Sequence, residues 1–210
     1  MAKGKWAQGI KPRSFQWVIE DQLAVCVRPG GIGTNHRRVR RQEEVIWLRE
    51  NRFSAVVSLL PSNHNLHSYD ELGLPWYHWP FPPSIDYETY LPMYYGELHK
   101  LLNDNKRLIM HIEDVGDRLG GFIGGYLRWN QMVDITFEAI TVTERLLGRQ
   151  LGPEGREIVT SAGEVADKLR EERAQKVIDL TSGESDPSGY PVMAPDSDFI
   201  PASRSGPWIG

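Results

Sequence analysis

Glu113, Asp114, Asp117 and Arg118 fall within six residues of one another, directly after the apolar run LIMHI (108–112). Three carboxylates and a guanidinium in so short a loop could do chemistry in several ways. Together with His111, the acids offer an oxygen-rich set of the kind that suits Mg²⁺ or Ca²⁺. A strand, a short loop and a helix start also make an anion site, because backbone N–H groups and the helix dipole point at whatever sits there. Against both stands the loop's own charge. A carboxylate and a phosphate about 4 Å apart repel by on the order of 1 kcal/mol in water-like surroundings and by several in a semi-buried site. Pairing of Arg118 with Asp114 or Asp117 is therefore expected ahead of a bound phosphate, and a solvated acidic edge ahead of a metal site.

The elements that must position this loop alternate in type. FQWVI (15–19) and LAVCVR (23–28) read as two short strands around the turn Glu20-Asp21-Gln22, and Pro29-Gly30-Gly31 breaks the chain after them. Residues 36–52 read as a helix with Thr34 or Asn35 as N-cap. SAVVSLL (54–60) and LIMHI are continuous apolar runs of the kind that become buried parallel strands, and LPWYHWP (74–80) is a further strand. A short helical piece is expected over 67–73. Longer helices are expected over 86–104, 118–132, 136–147 and 154–178. Strands alternating with helices imply an α/β fold with a mostly parallel central sheet flanked by helices. The pairs Gly120/Gly124 and Gly121/Gly125 should let the helix after the loop press close to the sheet.

From about residue 15 to 160 the order and spacing of these segments resemble the dual-specificity branch of the protein tyrosine phosphatases. The family signature is His-Cys, five residues, Arg, then Ser or Thr; this chain reads His111-Ile112, five residues, Arg118, Leu119. FQWVIEDQLAVCVRP resembles the family's opening hairpin and FSAVVSLLP its next strand. WYHWPFPPS resembles the strand and loop that carry the general acid, and ITFEAITVTERL the helix after the signature. The resemblance implies a phosphatase-like fold over 15–178, with Arg118, Gly116 and Gly120 at the ligand-binding loop and His111 as a structural support.

The departures remove the chemistry that the resemblance would otherwise imply. The family's thiolate nucleophile forms a phosphocysteine, and at its position Ile112 offers no nucleophilic atom. Pro83 stands where the general acid Asp is expected, with Asp86 three residues beyond. Leu119 replaces the hydroxyl residue that helps resolve the intermediate. Val115 displaces the loop's first glycine to Gly116. Cys26, in the hairpin, is expected to lie far from the loop. No catalytic residue, cofactor or metal is therefore expected. Phosphate or phosphoprotein binding should be weak or absent. The alternative is an unorthodox phosphohydrolase that uses the loop carboxylates, with or without a metal.

Charge and composition narrow the class further. The 210 residues carry a net charge of −4, and all of it belongs to residues 179–210, which hold five acids against Arg204. That segment has 15 Gly, Pro or Ser in 32 residues, too few apolar groups to offset its ordering entropy, so a mobile acidic tail is expected. Residues 1–14 are expected to form an N-terminal arm. A neutral body is a poor match to nucleic acid, whose phosphates want a basic surface. The basic run His36 to Arg41 reads as a solvated helix face, paired in part by Glu43, Glu44 and Glu50, with a docking patch for an acidic partner or for the chain's own acidic tail as the alternative. Gly31-Ile32-Gly33 lacks the third glycine of a dinucleotide fingerprint. His64 and His67 read as surface residues, and Trp79 as a candidate for the rim of a shallow cleft. No stretch of 18 apolar residues occurs, and the first residues carry no apolar leader, so neither a membrane span nor a secretory signal is expected. A single cysteine excludes an internal disulfide and fits a reducing compartment. The expectation is a cytoplasmic, catalytically inactive phosphatase-like domain that binds a protein partner or itself.

Overall fold

The computed structural model describes residues 8–31, 38–63 and 65–182. In chain order they form β1 (Gln16–Ile19), β2 (Leu23–Val27), α1 (Arg38–Glu50), β3 (Ala55–Ser58), α2 (His67–Asp70), β4 (Trp76–His78), α3 (Tyr87–Asn103), β5 (Leu108–Ile112), α4 (Asp117–Trp129), α5 (Thr136–Leu147) and α6 (Pro153–Ser182). The chain divides into two compact units, 1–171 and 172–210; the sheet and every candidate site residue belong to the first. Most of the expected arm and tail, residues 1–7 and 183–210, lies outside the described residues.

The sheet runs β1-β2-β5-β3-β4, with β1 antiparallel to β2 and the other pairings parallel. Asp21 closes the hairpin at φ 60°, a conformation that Asp tolerates better than most residues. β5 takes the centre, and its side chains are buried on both faces. Successive strand residues point to opposite sides. Leu108, Met110 and Ile112 enter one core with Leu91, Tyr95, Leu98, Phe122 and Ile158 from the helices. Ile109 enters the other, with Val45, Leu48, Phe53 and Tyr69. Cover on both faces is what continuous apolar runs such as AVVS and LIMHI require.

Two expectations about packing are corrected. The glycines of α4 serve helix–helix contact rather than an approach to the sheet. A Cβ on Gly120 would lie 2.5 Å from Leu151 Cδ2, and one on Gly121 would lie 2.7 Å from the Gly155 carbonyl. The close approach thus brings α4 against the chain entering α6. Trp79 does not rim a cleft; it is buried and stacked on Tyr94, with ring centroids 5.7 Å apart.

Candidate functional site

The loop between β5 and α4 begins where the central strand ends. Ile112, at the nucleophile position of the resembled signature, is built into the main core beside Leu119, which has no exposed surface. Both are apolar plugs beneath the loop. Cys26 is closer than the sequence suggested: it is the register partner of His111 on the adjacent strand. Its side chain nonetheless joins the opposite core from Ile112. Burial pushes its thiol up, so it holds no thiolate for the loop.

The three loop acids go to three different places. Glu113 pairs with Arg28 at the end of β2, Oε1 to Nη1 at 2.8 Å. Asp114 is exposed, and its carboxylate lies over Gly116; a Cβ there would meet Asp114 Oδ2 at 2.8 Å. Gly116 is the N-cap of α4, where positive potential collects, so the chain places one of its own carboxylates beside the anion-binding end of the helix. Asp117 points away from the loop. Its Oδ1 accepts from Gly152 N at 2.6 Å and its Oδ2 from Gly155 N at 2.9 Å. It therefore caps the N-terminus of α6, which begins at Pro153 with no capping side chain of its own. A Cβ on Gly155 would collide with Asp117 Oδ1 at 2.3 Å, so the glycine makes room for this cap.

Arg118 departs from both partners expected of it. Neither Asp114 nor Asp117 holds its guanidinium. Nη1 donates to Glu154 Oε1 in the first turn of α6. Nη2 donates to the carbonyls of Phe81 at 2.7 Å and Pro82 at 2.6 Å. The plane also lies over the Phe81 ring, 4.7 Å from its centroid. Arg118 thus ties the start of α4 to the β4–α3 loop and to α6, and its side chain keeps only 15% of its surface in solvent. Glu154 went unrecognised in the sequence because an acid in the first turn of a helix is already accounted for by the helix dipole.

Of the expected ligand-binding residues, Gly116 lies beneath Asp114, and Gly120 faces Leu147 and Leu151 rather than the loop. Arg149, unforeseen, donates from Nη1 to the Val115 carbonyl at 3.0 Å and pins the middle of the loop.

The β4–α3 loop, which carries the expected general-acid position, is equally short of proton chemistry. Pro83 is exposed and carries no proton to give. Asp86 is the N-cap of α3, accepting from Glu88 N at 3.1 Å and from the Thr89 hydroxyl at 2.6 Å. The Thr89 bond, with smaller help from backbone donors, holds its carboxyl below the usual range, the wrong direction for a general acid near neutral pH.

His111 stands in β5, one residue before Ile112. It is buried, with Nε2 3.0 Å from the Tyr69 hydroxyl. Burial, with Arg28 and His78 nearby, lowers its pKa to about 3, so the ring is neutral. No group of three or more His, Cys, Asp or Glu able to hold a metal ion occurs among the described residues.

The basic run is a solvated face only in part: Arg38 is exposed and the expected pairing with Glu44 forms, but Arg41 and Glu44 are buried. Arg40 pairs with Glu44 at 2.8 Å, and Glu44 is itself buried, accepting from Gly30 N at 2.7 Å. Arg41 is buried too, and burial lowers its pKa. The turn after β2 is thereby locked to α1. Ile32, Gly33, Thr34, Asn35, His36, Arg37 and His64 lie outside the described residues; His67 is exposed, as expected. No helix among the described residues is long and apolar enough to cross a membrane.

No family model and no curated protein sequence matches the chain. Solved structures do. A kinase associated phosphatase with its catalytic cysteine changed to serine superposes with a TM-score of 0.61 at 17% identity, over 76% of this chain and 97% of that one. Human DUSP28 gives 0.57 at 12% identity, over 75% and 99%. The core catalytic domain of the PP-IP phosphatase SIW14 from S. cerevisiae, in complex with citrate, gives 0.54 at 16%, over 80% and 95%. The chain has the fold of the dual-specificity and protein tyrosine phosphatases, and at these identities the likeness is one of fold.

Proposed function

We propose that the chain is a catalytically inactive phosphatase-like domain that works in the cytoplasm as a protein-interaction or regulatory module. The observation that carries this reading is the commitment of Arg118 to Glu154 and to the Phe81 and Pro82 carbonyls. In the resembled chemistry the arginine of the signature faces the phosphoryl group. Here it is engaged in holding α4 to α6 and to the β4–α3 loop. The surrounding positions support the same reading. Ile112 has no nucleophilic atom, Pro83 has no proton, and Leu119 has no hydroxyl. Asp114 puts negative charge beside the only helix start available to an anion in this loop. A buried reduced cysteine fits the reducing compartment assigned here.

One observation favours a second reading. Asp114 is exposed and makes no hydrogen bond or ion pair among the described residues, so it is the loop carboxylate left for hydrolysis by an unorthodox route. A panel of aryl phosphates, phosphopeptides and inositol phosphates, assayed with and without Mg²⁺, Mn²⁺ and Ca²⁺, separates the two. The proposed function requires release no faster than the buffer blank throughout. Turnover abolished by Asp114→Asn would establish the second reading instead.

A further inference from the structure

Residues 83–88, the end of the β4–α3 loop with the first turn of α3, face α6 across a groove of about 540 Å³. That size lies within the range of formed binding clefts. The α6 wall is a single helical face, because Glu154, Glu157, Ser161, Glu164, Val165 and Lys168 recur at three- and four-residue steps. Ile85, Tyr87 and Val165 give the groove an apolar lining, and all three are half-buried.

The charge around this concavity is lopsided. Asp86, Glu88, Glu154, Glu157 and Glu164 face it, against Lys168 alone. Two of the acids are already satisfied, Asp86 by Thr89 and Glu154 by Arg118. The side chains of Glu88, Glu157 and Glu164 make no ion pair among the described residues, and neither does Lys168. Carboxylates gathered on one concave surface give it a negative local potential. The groove therefore repels phosphorylated or acidic segments and complements cationic ones, the reverse of what a phosphate-binding cleft needs.

We propose that this groove docks an extended, Lys/Arg-containing segment of another protein. The basic side chains meet Glu88, Glu157 and Glu164, and an apolar side chain between them packs against Ile85, Tyr87 and Val165. The proposal rests on the interaction-module reading and names its partner class. Loss of either leaves a distinct signature, because docking is read as binding and inactivity as turnover.

The test is fluorescence anisotropy of the full chain with a labelled decapeptide of alternating Arg and Leu, beside the same peptide with Glu for Arg. The basic peptide should bind and the acidic one should not. Glu88→Gln/Glu157→Gln/Glu164→Gln should weaken binding by about tenfold or more, three exposed ion pairs being lost together. Glu20→Gln/Asp134→Asn/Glu138→Gln removes the same charge from exposed positions that do not line the groove, and should change affinity by less than about threefold. Val165→Ser should weaken binding by about threefold through lost apolar contact. Equal losses in the two triple variants would reduce the effect to bulk electrostatics and overturn the proposal. So would a folded wild-type chain that ignores the basic peptide, including one whose groove is filled by a second copy and which sediments as a dimer.

Discussion

Arg118 and Glu154, 36 positions apart in the chain, form an ion pair between the start of α4 and the first turn of α6. The same guanidinium takes two carbonyls of the β4–α3 loop. One residue earlier, Asp117 holds the amides of Gly152 and Gly155. Neighbouring residues at the start of α4 therefore grip the start of α6 with opposite charges. These bonds join α4, α6 and the β4–α3 loop at one junction.

Removing the guanidinium should be felt as lost stability. Arg118→Ala deletes a charged donor from two carbonyls and Glu154, and urea unfolding should report a loss of about 1–3 kcal/mol. Arg118→Lys should recover only part, since an ammonium lacks the planar fork that reaches three acceptors at once. The same measurement in phosphate and in chloride buffer of equal ionic strength should give equal losses. A wild type stabilised specifically by phosphate would mean that Arg118 is available to anions after all.

The Asp117 cap makes a second, separable contribution. Asp117→Ala should cost about 1–2 kcal/mol, the range for removing an N-cap acceptor, with a further share from the helix dipole. Asp117→Asn keeps an acceptor and should cost less. Hydrogen exchange should speed up first at the amides opening α6. Protection unchanged there would show that Pro153 and the packing of Gly121 against Gly155 set the start of the helix without the carboxylate.

His111 makes stability depend on pH in a defined direction. Its pKa is lowered to about 3 in the folded chain, against an ordinary value near 6.5. Between those values the unfolded chain binds the extra proton. The stabilisation is thus complete above about pH 6.5 and falls with acidification by at most about 1.4 kcal/mol per pH unit. Carboxylates add their own slope, so the informative quantity is the difference between wild type and His111→Gln. Urea midpoints measured from pH 7.5 to 5 should converge as the pH drops. Parallel curves would mean that the ring titrates with the same pKa in the folded and the unfolded chain.

Much of the architecture is readable before any coordinates. β5 and α5 lie where LIMHI and 136–147 placed them, because an apolar run bounded by charges and a helical period are local signals. The Asp21 turn is local too. What the sequence concealed is non-local. Arg118 had two acids within its own loop, and spacing alone favoured them over Glu154. Gly120 and Gly121 signalled a close approach without saying to which element. Arg41 and Glu44 looked solvent-facing because charged residues in a polar run normally are, and only the turn at Gly30 gives Glu44 a buried donor. In each case the missing information was the partner, which tertiary structure supplies.

Giving this scaffold phosphatase chemistry should take several changes at once. Ile112→Cys restores the nucleophilic atom, and as a reduction in core volume it should cost about 1 kcal/mol. Turnover should stay at the blank, because a thiol at this buried position keeps its proton and no donor serves the leaving group. Adding Pro83→Asp and Leu119→Ser restores the acid and the hydroxyl. The second change places a polar group at a site with no exposed surface, for a penalty of about 1–3 kcal/mol. Neutral replacements at Glu113 and Asp114 lift the negative charge from the loop, at the expense of the Arg28 pair. Arg118 would still need release, so Glu154→Gln belongs in the same variant. Activity should emerge only when the arginine is freed along with the other changes, and circular dichroism must show each variant folded. Strong turnover from Ile112→Cys alone would mean that neither the loop carboxylates nor the Glu154 pair opposes catalysis, and would overturn the reading of this cleft as one rebuilt for structure.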